Sequence, residues 1–587
     1  MSGKYRDLLT DYYTPGTIPL TEHPRPHFFR DSYLILNGVW DYAITKDLEV
    51  KQYDGDILVP FSPESILSGV KRTVDKDHYL FYRRVVTLPL DFRKEKLILH
   101  FGAVDQEVDV FINNEFVKSN HLPYLPFSID ITKHVISDTF EILLRVKDAT
   151  RCGSHLIGKQ SEKRGGIWYT AQSGIWQTVW LESLPTNYLN HVEIEPLFDE
   201  KQVRFSFDKV GVGEVKVNVF FANQQLYEGK TSKDTLTIDL KDIHPWSPDT
   251  PDLYQVVYTF DEDQVQAYFA FRKISVNIDK RGFKRFYLND KPLFQSGILD
   301  QGYYSDGLLT PPSDQAMIND ILLLKKMGFN MLRKHIKVEP LRFYYHCDRL
   351  GMLVWQDMIC LTPPKTYNLN GMFAMFLGIH PSDQKTKRFG VTKQNEKNNY
   401  SQSLDLMIHL LKPFPSIVTW VPFNEGWGQF ESKLAVDNIR KLDKTRLIDH
   451  ASGWSDQKVG DYYSRHIYFT KLKIEPKQVH HRIMAISEFG GYSHSIPNHV
   501  FNPFQEFGYK RFSSLTALGQ AFETLYMDQV CPLINQGLSA IIYTQLSDVE
   551  DEVNGLITYD RKVVKFNDEH VNRMNQQLYQ TFKSVVE

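Results

Sequence analysis

The sequence predicts three domains in series: a β-sandwich, an immunoglobulin-like β-sandwich and a C-terminal (β/α)8 barrel. Short alternating strands fill the first 275 residues, and strands then alternate with helices from about residue 276 onward. Eight strands with intervening helical segments in the remaining part match the number that a TIM barrel requires. The length of 587 residues and the hydrophobic content of 42% are sufficient for three packed cores.

The first domain, residues 1–185, is predicted to be an antiparallel sandwich, because Gly, Asn, Pro and Asp punctuate its short apolar runs. Asn113 and Asn114 predict a hairpin turn, since Asn tolerates the left-handed backbone that tight hairpins need. No helix of convincing length is predicted here. The predicted strands are 34–44, 82–90, 96–104, 107–114, 140–148 and 175–184.

The second domain, residues 186–275, continues in strands. About 90 residues of short strands is the size of an immunoglobulin-like sandwich. Residues 244–254 contain three prolines and are predicted to form an irregular crossing loop.

The third domain, residues 276–587, is predicted to be the barrel. Ser313 is placed to cap its first helix, and Gly328 and Gly351 follow helical segments as C-terminal stop signals. Residues 359–391 and 489–514 are long and aromatic, which favours active-site loops over linkers. The predicted strands are 292–300, 329–335, 352–358, 416–425, 446–452, 461–468, 482–490 and 539–548, and the predicted helices are 314–327, 339–350, 403–411, 432–443, 518–530 and 571–586.

Composition excludes several functional classes. A formal net charge of −3 indicates neither a nucleic-acid partner nor an anionic membrane. No apolar leader and no membrane-spanning stretch is evident, so we expect a cytoplasmic protein. The oligomeric state stays open, with a homo-oligomer as one alternative. The four cysteines are widely spaced and predict neither structural zinc nor a disulfide framework: Cys152, Cys347, Cys360 and Cys531.

Two glutamates mark the predicted active site, which in a barrel lies at the C-terminal ends of the strands. Glu425 and Glu488 end the apolar fourth and seventh strands, and a carboxylate there avoids a large desolvation cost only at the barrel mouth. Two facing carboxylates suit glycoside hydrolysis. Arg333 is placed to keep a nucleophile ionised, and Asn424 to donate to a sugar hydroxyl. Other candidates at strand ends or as apolar faces for a sugar ring are Asp300, His335, Asp357, Tyr468, Gln545, Trp355, Trp427 and Trp454.

Each of these residues alone has an ordinary structural explanation, since carboxylates cap helices and tryptophans fill cores. The functional prediction depends on their joint placement at one end of one barrel. Two other classes stay open: a non-catalytic carbohydrate-binding protein and a metal-dependent barrel hydrolase. The second would need a His-x-His element after the first strand, where residues 297–300 read Gly-Ile-Leu-Asp, so no metal or other cofactor is predicted.

Seven segments carry a resemblance to a known family: LNGVWDY (36–42), HFGAVDQEVDVFINN (100–114), RGGIWYTAQSGIWQTVWLE (164–182), LNDKPLFQSGILDQGYYSDG (288–307), GFNMLRKH (328–335), WVPFNEGWGQF (420–430) and ISEFGGYS (486–493). In these motifs and in domain order, the chain resembles glycoside hydrolase family 2 over its whole length. The resemblance implies a jelly-roll sugar-binding first domain, an immunoglobulin-like second domain and a catalytic barrel. It further implies a retaining exo-β-glycosidase with carbohydrate as its partner.

The resemblance also implies roles for individual residues. Glu425 would be the general acid/base and Glu488 the nucleophile of a double displacement. Tyr468 matches a tyrosine near the nucleophile, and His466 would line the same pocket with Arg333. Asp105, in the first domain, lies in a segment that reaches the barrel mouth in this family.

Departures from the family pattern bear on the substrate. His335 follows Arg333 one place earlier than usual. Residues 552–562, EVNGLITYDRK, hold Asn554 but lack the Asn-x-Lys element by which β-glucuronidases resemble one another, although Arg561 could compensate. Gln545 stands in a segment where many relatives have Trp. A neutral hexoside fits these departures best. A β-galactoside is the first expectation on its frequency in the family alone, and β-glucuronide, β-mannoside and α-L-arabinoside specificities are the alternatives.

Overall fold

The computed structural model describes residues 5–151, 155–361 and 379–587. Cys152 and residues 362–378 of the predicted loop 359–391 therefore lie outside the described residues. The first 185 residues fold mainly as two antiparallel sheets, ordered β1-β14-β5-β9 and β3-β2-β4-β10-β7-β8. The strands of this part are β1 (Tyr33–Ile35), β2 (Gly38–Thr45), β3 (Gly55–Val59), β4 (Tyr79–Thr87), β5 (Lys96–Phe101), β6 (Val104–Asp105), β7 (Glu107–Ile112), β8 (Glu115–Asn120), β9 (Phe127–Asp130), β10 (Thr139–Lys147), β11 (Gln160–Ser161), β12 (Tyr169–Thr170), β13 (Gly174–Ile175) and β14 (Val179–Leu184).

The hairpin predicted at Asn113 and Asn114 joins β7 to β8. Both residues have positive φ, 49° and 65°, and Ile112 pairs directly with Glu115. Alternate side chains of the two large sheets form one apolar core that includes Trp40 and Phe101.

The second part forms a smaller sandwich, with sheets ordered β15-β16-β19 and β18-β17-β20-β21. Its core is aromatic and β-branched, and Phe205 and Tyr258 lie at its centre with ring centroids 5.9 Å apart. The strands are β15 (Tyr188–Leu197), β16 (Gln202–Val210), β17 (Val215–Phe221), β18 (Gln224–Thr231), β19 (Thr235–Asp239), β20 (Tyr254–Phe260) and β21 (Asp263–Phe269).

The third part is an eight-stranded parallel barrel that is confirmed as the sequence predicts, with strand order β29-β28-β27-β26-β25-β34-β31-β30. The ladder is open between β29 and β30, where Asp461 N donates to Ile448 O at 2.8 Å and Ile448 N donates to Asp461 Oδ2 at 2.9 Å. The barrel strands are β25 (Gln295–Asp300), β26 (Met331–Lys334), β27 (Leu353–Asp357), β28 (Ile417–Val421), β29 (Leu447–Ile448), β30 (Tyr462–Ile467), β31 (Ile483–Gly490) and β34 (Leu538–Thr544).

Short accessory strands accompany this barrel. A three-stranded sheet precedes it, and Phe286 and Leu288 of that sheet pack against the lower barrel core beside Met331 and Val418. The accessory strands are β22 (Ile274–Ile278), β23 (Lys284–Leu288), β24 (Lys291–Pro292), β32 (Tyr492–Ser493) and β33 (Lys510–Arg511).

The helices surround the barrel. Ser313 caps α1 as predicted, because its side chain accepts from Ala316 N, and Gly351 ends α2 with a φ of 74°. The predicted helix 403–411 begins nine residues earlier in the structure, at Gln394, where Glu396 closes a capping box. The helices are α1 (Asp314–Lys326), α2 (Leu341–Leu350), α3 (Gln394–Leu411), α4 (Ser432–Leu442), α5 (Leu515–Thr524), α6 (Cys531–Ile534) and α7 (Asp568–Val586), with a 3-10 turn at Thr386–Phe389 and a π-helical turn at Leu525–Val530.

Among the helices that the structure describes, none combines the length and apolar character needed to span a bilayer.

Candidate active site

Arg333 is the centre of the polar cluster inside the barrel. Its guanidinium is fully buried and donates to Asp357 Oδ1 (2.9 Å), Glu488 Oε1 (3.1 Å) and Asn424 Oδ1 (2.8 Å). Burial alone would lower the pKa of Arg333, but the charges of Asp357 and Glu488 outweigh that effect and raise it. A permanently charged guanidinium therefore ties three barrel strands together and faces Glu488 with a fixed positive charge.

Glu488 projects into this cluster from an irregular part of β31. The pairing of β31 shifts register on both sides, opposite His466 of β30 and between Ile486 and Phe489 against β34. Such irregularities turn a side chain away from the regular alternation. Glu488 Oε2 then accepts a hydrogen bond of 2.6 Å from Tyr468 OH, so both carboxylate oxygens are held by donors.

Glu425 lies four residues beyond the end of its strand. The prediction that the fourth strand extends to residue 425 is wrong, because β28 ends at Val421 and a turn follows. Glu425 has a φ of 50° and Gly426 a φ of 78°, and Glu425 N donates to Ser452 O at 3.0 Å. This left-handed backbone is unfavourable for a residue with a side chain, and the bond to Ser452, in the segment after β29, holds it in place.

The two glutamates have different environments. Burial raises the pKa of Glu425 to about 7, and the charges of Lys159 and Arg333 oppose that rise. Glu488 instead accepts hydrogen bonds directly from the Arg333 guanidinium and the Tyr468 hydroxyl. Glu425 is thus suited to carry a proton near neutral pH, whereas Glu488 is held by a positive charge and a hydroxyl donor.

His466 lies between the two glutamates. Its Nδ1 is 2.8 Å from Glu425 Oε1 and 3.4 Å from Glu488 Oε2, and the three atoms of this group lie within 4.8 Å of one another. Burial lowers the pKa of His466 to about 3, so the ring is neutral. Carboxylates this close match the retaining geometry of about 5–5.5 Å rather than the wider inverting one.

The same three side chains are the only group of potential metal ligands of this size among the described residues. Their mutual contacts have hydrogen-bond lengths, and Arg333 already neutralises Glu488. The potential ligand atoms are therefore already in contact with protein groups. That the protein requires no metal stays a prediction.

Asn424 offers an unused donor. Its Oδ1 accepts from Arg333, but its buried Nδ2 has no hydrogen-bond partner within the described part of the chain. Buried amide donors are normally satisfied. A hydroxyl group of a bound sugar would supply the missing acceptor.

Several other predicted residues line the cluster. His335 Nδ1 is 2.7 Å from Asp357 Oδ2. His335, which follows Arg333 one place earlier than usual, therefore holds the carboxylate that pairs with Arg333. Trp427 is buried with its ring centroid 6.4 Å from that of His335, and Trp454 packs edge-on against His466 at 6.0 Å.

Three predicted substrate-binding residues and one predicted ring face point elsewhere. Asp300 pairs with Lys334, which alternates with Arg333 and so faces away from the barrel interior. Asp105 accepts from Gln160 Nε2 at 2.7 Å, within the first sandwich. Gln545 bonds to Gln301 and Asn554 beside the cluster. Trp355 packs in the lower barrel core. The structure shows no contact of these residues with the two glutamates.

Residues that the sequence did not indicate complete the site. Tyr509, from the predicted loop 489–514, stacks on Tyr468 with a centroid distance of 3.7 Å. Lys159 and Trp168 come from the first sandwich, and Lys159 lies 5.0 Å from the centroid of Trp427. The Gly- and Trp-rich segment 164–182 could have indicated Trp168. No sequence pattern distinguishes Lys159 or Tyr509 from surface residues.

A barrel mouth with two carboxylates at this spacing, one of them bonded to an arginine and a tyrosine, defines the class of two-carboxylate glycosidase barrels. Two protein-family sequence models match the chain. The "Glycosyl hydrolases family 2, TIM barrel domain" model matches residues 278–487, and the "Glycosyl hydrolases family 2" model matches residues 198–272. The chain belongs to glycoside hydrolase family 2.

Similar proteins differ in the activity that their names give. A β-galactosidase of Thermoanaerobacter pseudethanolicus is 23% identical over 443 residues, which cover 70% of this chain and 54% of that protein. A putative β-glucuronidase of Formosa agariphila is 24% identical over 69% of this chain and 49% of its own length. The chain thus spans about half the length of these curated relatives, or less.

Solved structures share the fold over nearly the whole chain. A β-glucuronidase of an uncultured Clostridium sp. superposes with a TM-score of 0.72 at 17% identity, covering 93% of this chain and 97% of that one. A β-galacturonidase of Eisenbergiella tayi bound to galacturonate gives a TM-score of 0.66 at 17% identity, with the same coverage of both chains.

Proposed function

We propose that this protein is a retaining exo-β-glycosidase that acts by double displacement. The observation that carries the proposal is the pair Glu425 and Glu488, whose oxygens approach within 4.8 Å in different environments: burial raises the pKa of Glu425 to about 7, and Glu488 accepts from Arg333 and Tyr468. Neither a sugar-binding protein nor a structural barrel needs this inequality. Catalysis by one acid and one nucleophile does.

In the first step, Glu488 attacks the anomeric carbon, and Glu425 gives its proton to the departing glycosidic oxygen. This bond exchange forms a covalent glycosyl ester on Glu488. In the second step, Glu425, now ionised, takes a proton from water, and the resulting hydroxide displaces Glu488 with overall retention. Arg333 and Tyr468 orient Glu488 for attack, and Asn424 is placed to donate to a sugar hydroxyl.

The test is chemical rescue. Glu488→Ala should abolish hydrolysis of nitrophenyl β-glycosides, and added azide should restore release of nitrophenol with formation of an α-glycosyl azide. Glu425→Ala should instead give a β-glycosyl azide from a dinitrophenyl glycoside, because the covalent intermediate still forms. A wild-type protein that binds sugars but hydrolyses none of a broad β-glycoside panel would refute the proposal.

For the glycone we propose a neutral sugar, with β-galactoside first. The element after the last barrel strand supports this choice, because Glu552 is buried there and bonds to Tyr169 OH (2.6 Å) and Asn554 Nδ2 (2.9 Å). A buried carboxylate at this position would repel the carboxylate of a hexuronide. The names of several sequence relatives also support a galactoside.

A hexuronide is the second candidate, favoured by the names of the structurally similar proteins. A panel of nitrophenyl β-D-galactoside, glucoside, mannoside, glucuronide and galacturonide and nitrophenyl α-L-arabinoside separates these alternatives. Preference for a uronide by more than tenfold in kcat/KM would overturn the neutral assignment and leave the mechanism intact.

A further inference from the structure

One segment of the first sandwich, residues 155–170, reaches across to the barrel and is here called the docking segment. Ile157 N donates to Cys360 O at 3.0 Å, and Cys360 Sγ contacts Gly158 O at 3.2 Å. Farther along, Arg164 pairs with Asp551 at 3.1 Å, on the loop after the last barrel strand. The docking segment is therefore fixed to two sides of the barrel mouth, and its position does not depend on one contact.

This segment carries Lys159 into the site. The residue is 6% exposed, and its ammonium group lies 5.0 Å from the ring centroid of Trp427, 5.8 Å from Trp168 and 5.9 Å from Tyr169. Within the three described ranges, Lys159 Nζ has no hydrogen bond and no carboxylate within 4 Å. Contacts with aromatic faces offset only part of the desolvation cost of a buried ammonium group. The charge of Lys159 thus lacks the anionic partner that buried cations normally have.

The position of Lys159 relative to the glutamates indicates which part of a substrate it would meet. Its charge acts on Glu425, and Trp427 follows Glu425 by two residues. Trp168 and Trp427 lie side by side, with centroids 5.0 Å apart. Glu425 protonates the glycosidic oxygen, so the groups on its side of the site face the leaving group. A cation beside two indole rings is thus presented to the aglycone.

We propose that Lys159 is the specificity residue of a leaving-group subsite that takes an acidic aglycone. The ligand chemistry is a ring carrying a carboxylate or a sulfate-type oxyanion, stacked on Trp168 and paired with the Lys159 ammonium. This inference rests on the proposed glycosidase activity. It does not depend on the choice of glycone, because the acidic group that Lys159 would bind belongs to the leaving group.

The experiment compares three leaving groups on the glycone that wild type prefers, with β-galactoside as the first choice: 2-nitrophenol, 4-carboxy-2-nitrophenol and 4-sulfo-2-nitrophenol. For each protein, the ratio of kcat/KM on an acidic substrate to kcat/KM on the neutral one is measured. Lys159→Gln should lower this ratio by roughly 10- to 100-fold, the usual range for loss of one charge-assisted contact. The carboxylate and sulfonate arms show which oxyanion is preferred.

Two variants control for general effects. Lys159→Arg keeps the charge and should retain most of the ratio. Lys163→Gln removes the same charge from an exposed position of the docking segment and should leave the ratio unchanged. Thermal melting of each variant checks folding, and a folding defect lowers all rates without changing the ratio.

The outcomes are distinct. If Lys159→Gln lowers kcat/KM equally on acidic and neutral substrates, or if Lys163→Gln changes the ratio as much, the subsite assignment is wrong and the glycosidase proposal stands. If wild type cleaves none of the three substrates on any glycone of the panel, the proposed function itself fails.

Discussion

The protonation of Glu425 gives the sharpest test of the site. Burial raises the pKa of this carboxyl from 4.5 to about 7. At pH 7 an ordinary carboxyl would be protonated about 0.3% of the time, whereas Glu425 would be protonated about half of the time. The burial therefore makes the general acid available roughly 150-fold more often at neutral pH.

The sign of the pH dependence follows from this value. Glu425 must hold a proton for the first step, so kcat/KM should fall above pH 7, by about tenfold for each further pH unit. Glu425→Gln replaces the acid by an uncharged group that cannot donate a proton to the leaving oxygen. We expect kcat/KM at pH 6 to fall by about 10²–10⁴-fold for a nitrophenyl glycoside and the basic limb to disappear.

The assay is the pH profile of kcat/KM from pH 4 to 9, with nitrophenyl and dinitrophenyl glycosides of the same sugar. The dinitrophenyl leaving group needs little protonation. Glu425→Gln should therefore lower kcat/KM much less for the dinitrophenyl glycoside than for the nitrophenyl glycoside. A basic limb that persists in this variant, or a wild-type limb above pH 8.5, would refute the assignment of Glu425 as the buried acid.

Three further predictions concern the nucleophile, metal dependence and stability. Tyr468→Phe removes the donor to Glu488 Oε2 and should lower kcat/KM by about 10- to 100-fold with an unchanged melting temperature; a loss under twofold would contradict a role for that contact. Dialysis against EDTA should leave the rate unchanged, because the potential ligand atoms of Glu425, His466 and Glu488 already contact protein groups. A rate that is lost on dialysis and recovers when a divalent ion is added would contradict this prediction. Ser313→Ala should destabilise the barrel by about 1 kcal/mol in a urea titration, because α1 loses its cap, while kcat/KM stays the same; a larger loss would indicate another role for Ser313.

The barrel and the two glutamates could be predicted from the sequence because both follow local patterns. The strands that precede the two glutamates are short apolar runs, and a carboxylate after such a run must find solvent or a polar cluster. The end of the fourth strand could not be predicted in the same way. Pro422 and Phe423 extend the apolar run, but Pro422 cannot donate to the ladder, and Glu425 turns into the left-handed region.

The direction in which a strand side chain points could not be predicted either. Arg333 and Lys334 are adjacent cations, and the sequence does not say which one faces the barrel axis. The structure places Arg333 inside with Glu488 and Lys334 outside with Asp300. Asp300 was predicted to bind substrate because it ends a strand, yet its partner lies on the outer face.

Lys159 shows why the rest of the site needs the folded chain. It is separated from Glu425 by more than 260 residues, and its local sequence resembles that of an exposed loop. Its burial results from contacts between domains, namely Cys360 with Gly158 and Arg164 with Asp551. Because the docking segment is held at both ends by the barrel, the position of Lys159 relative to Glu425 depends on the length of this segment. The first sandwich can therefore alter the leaving-group preference independently of the catalytic pair.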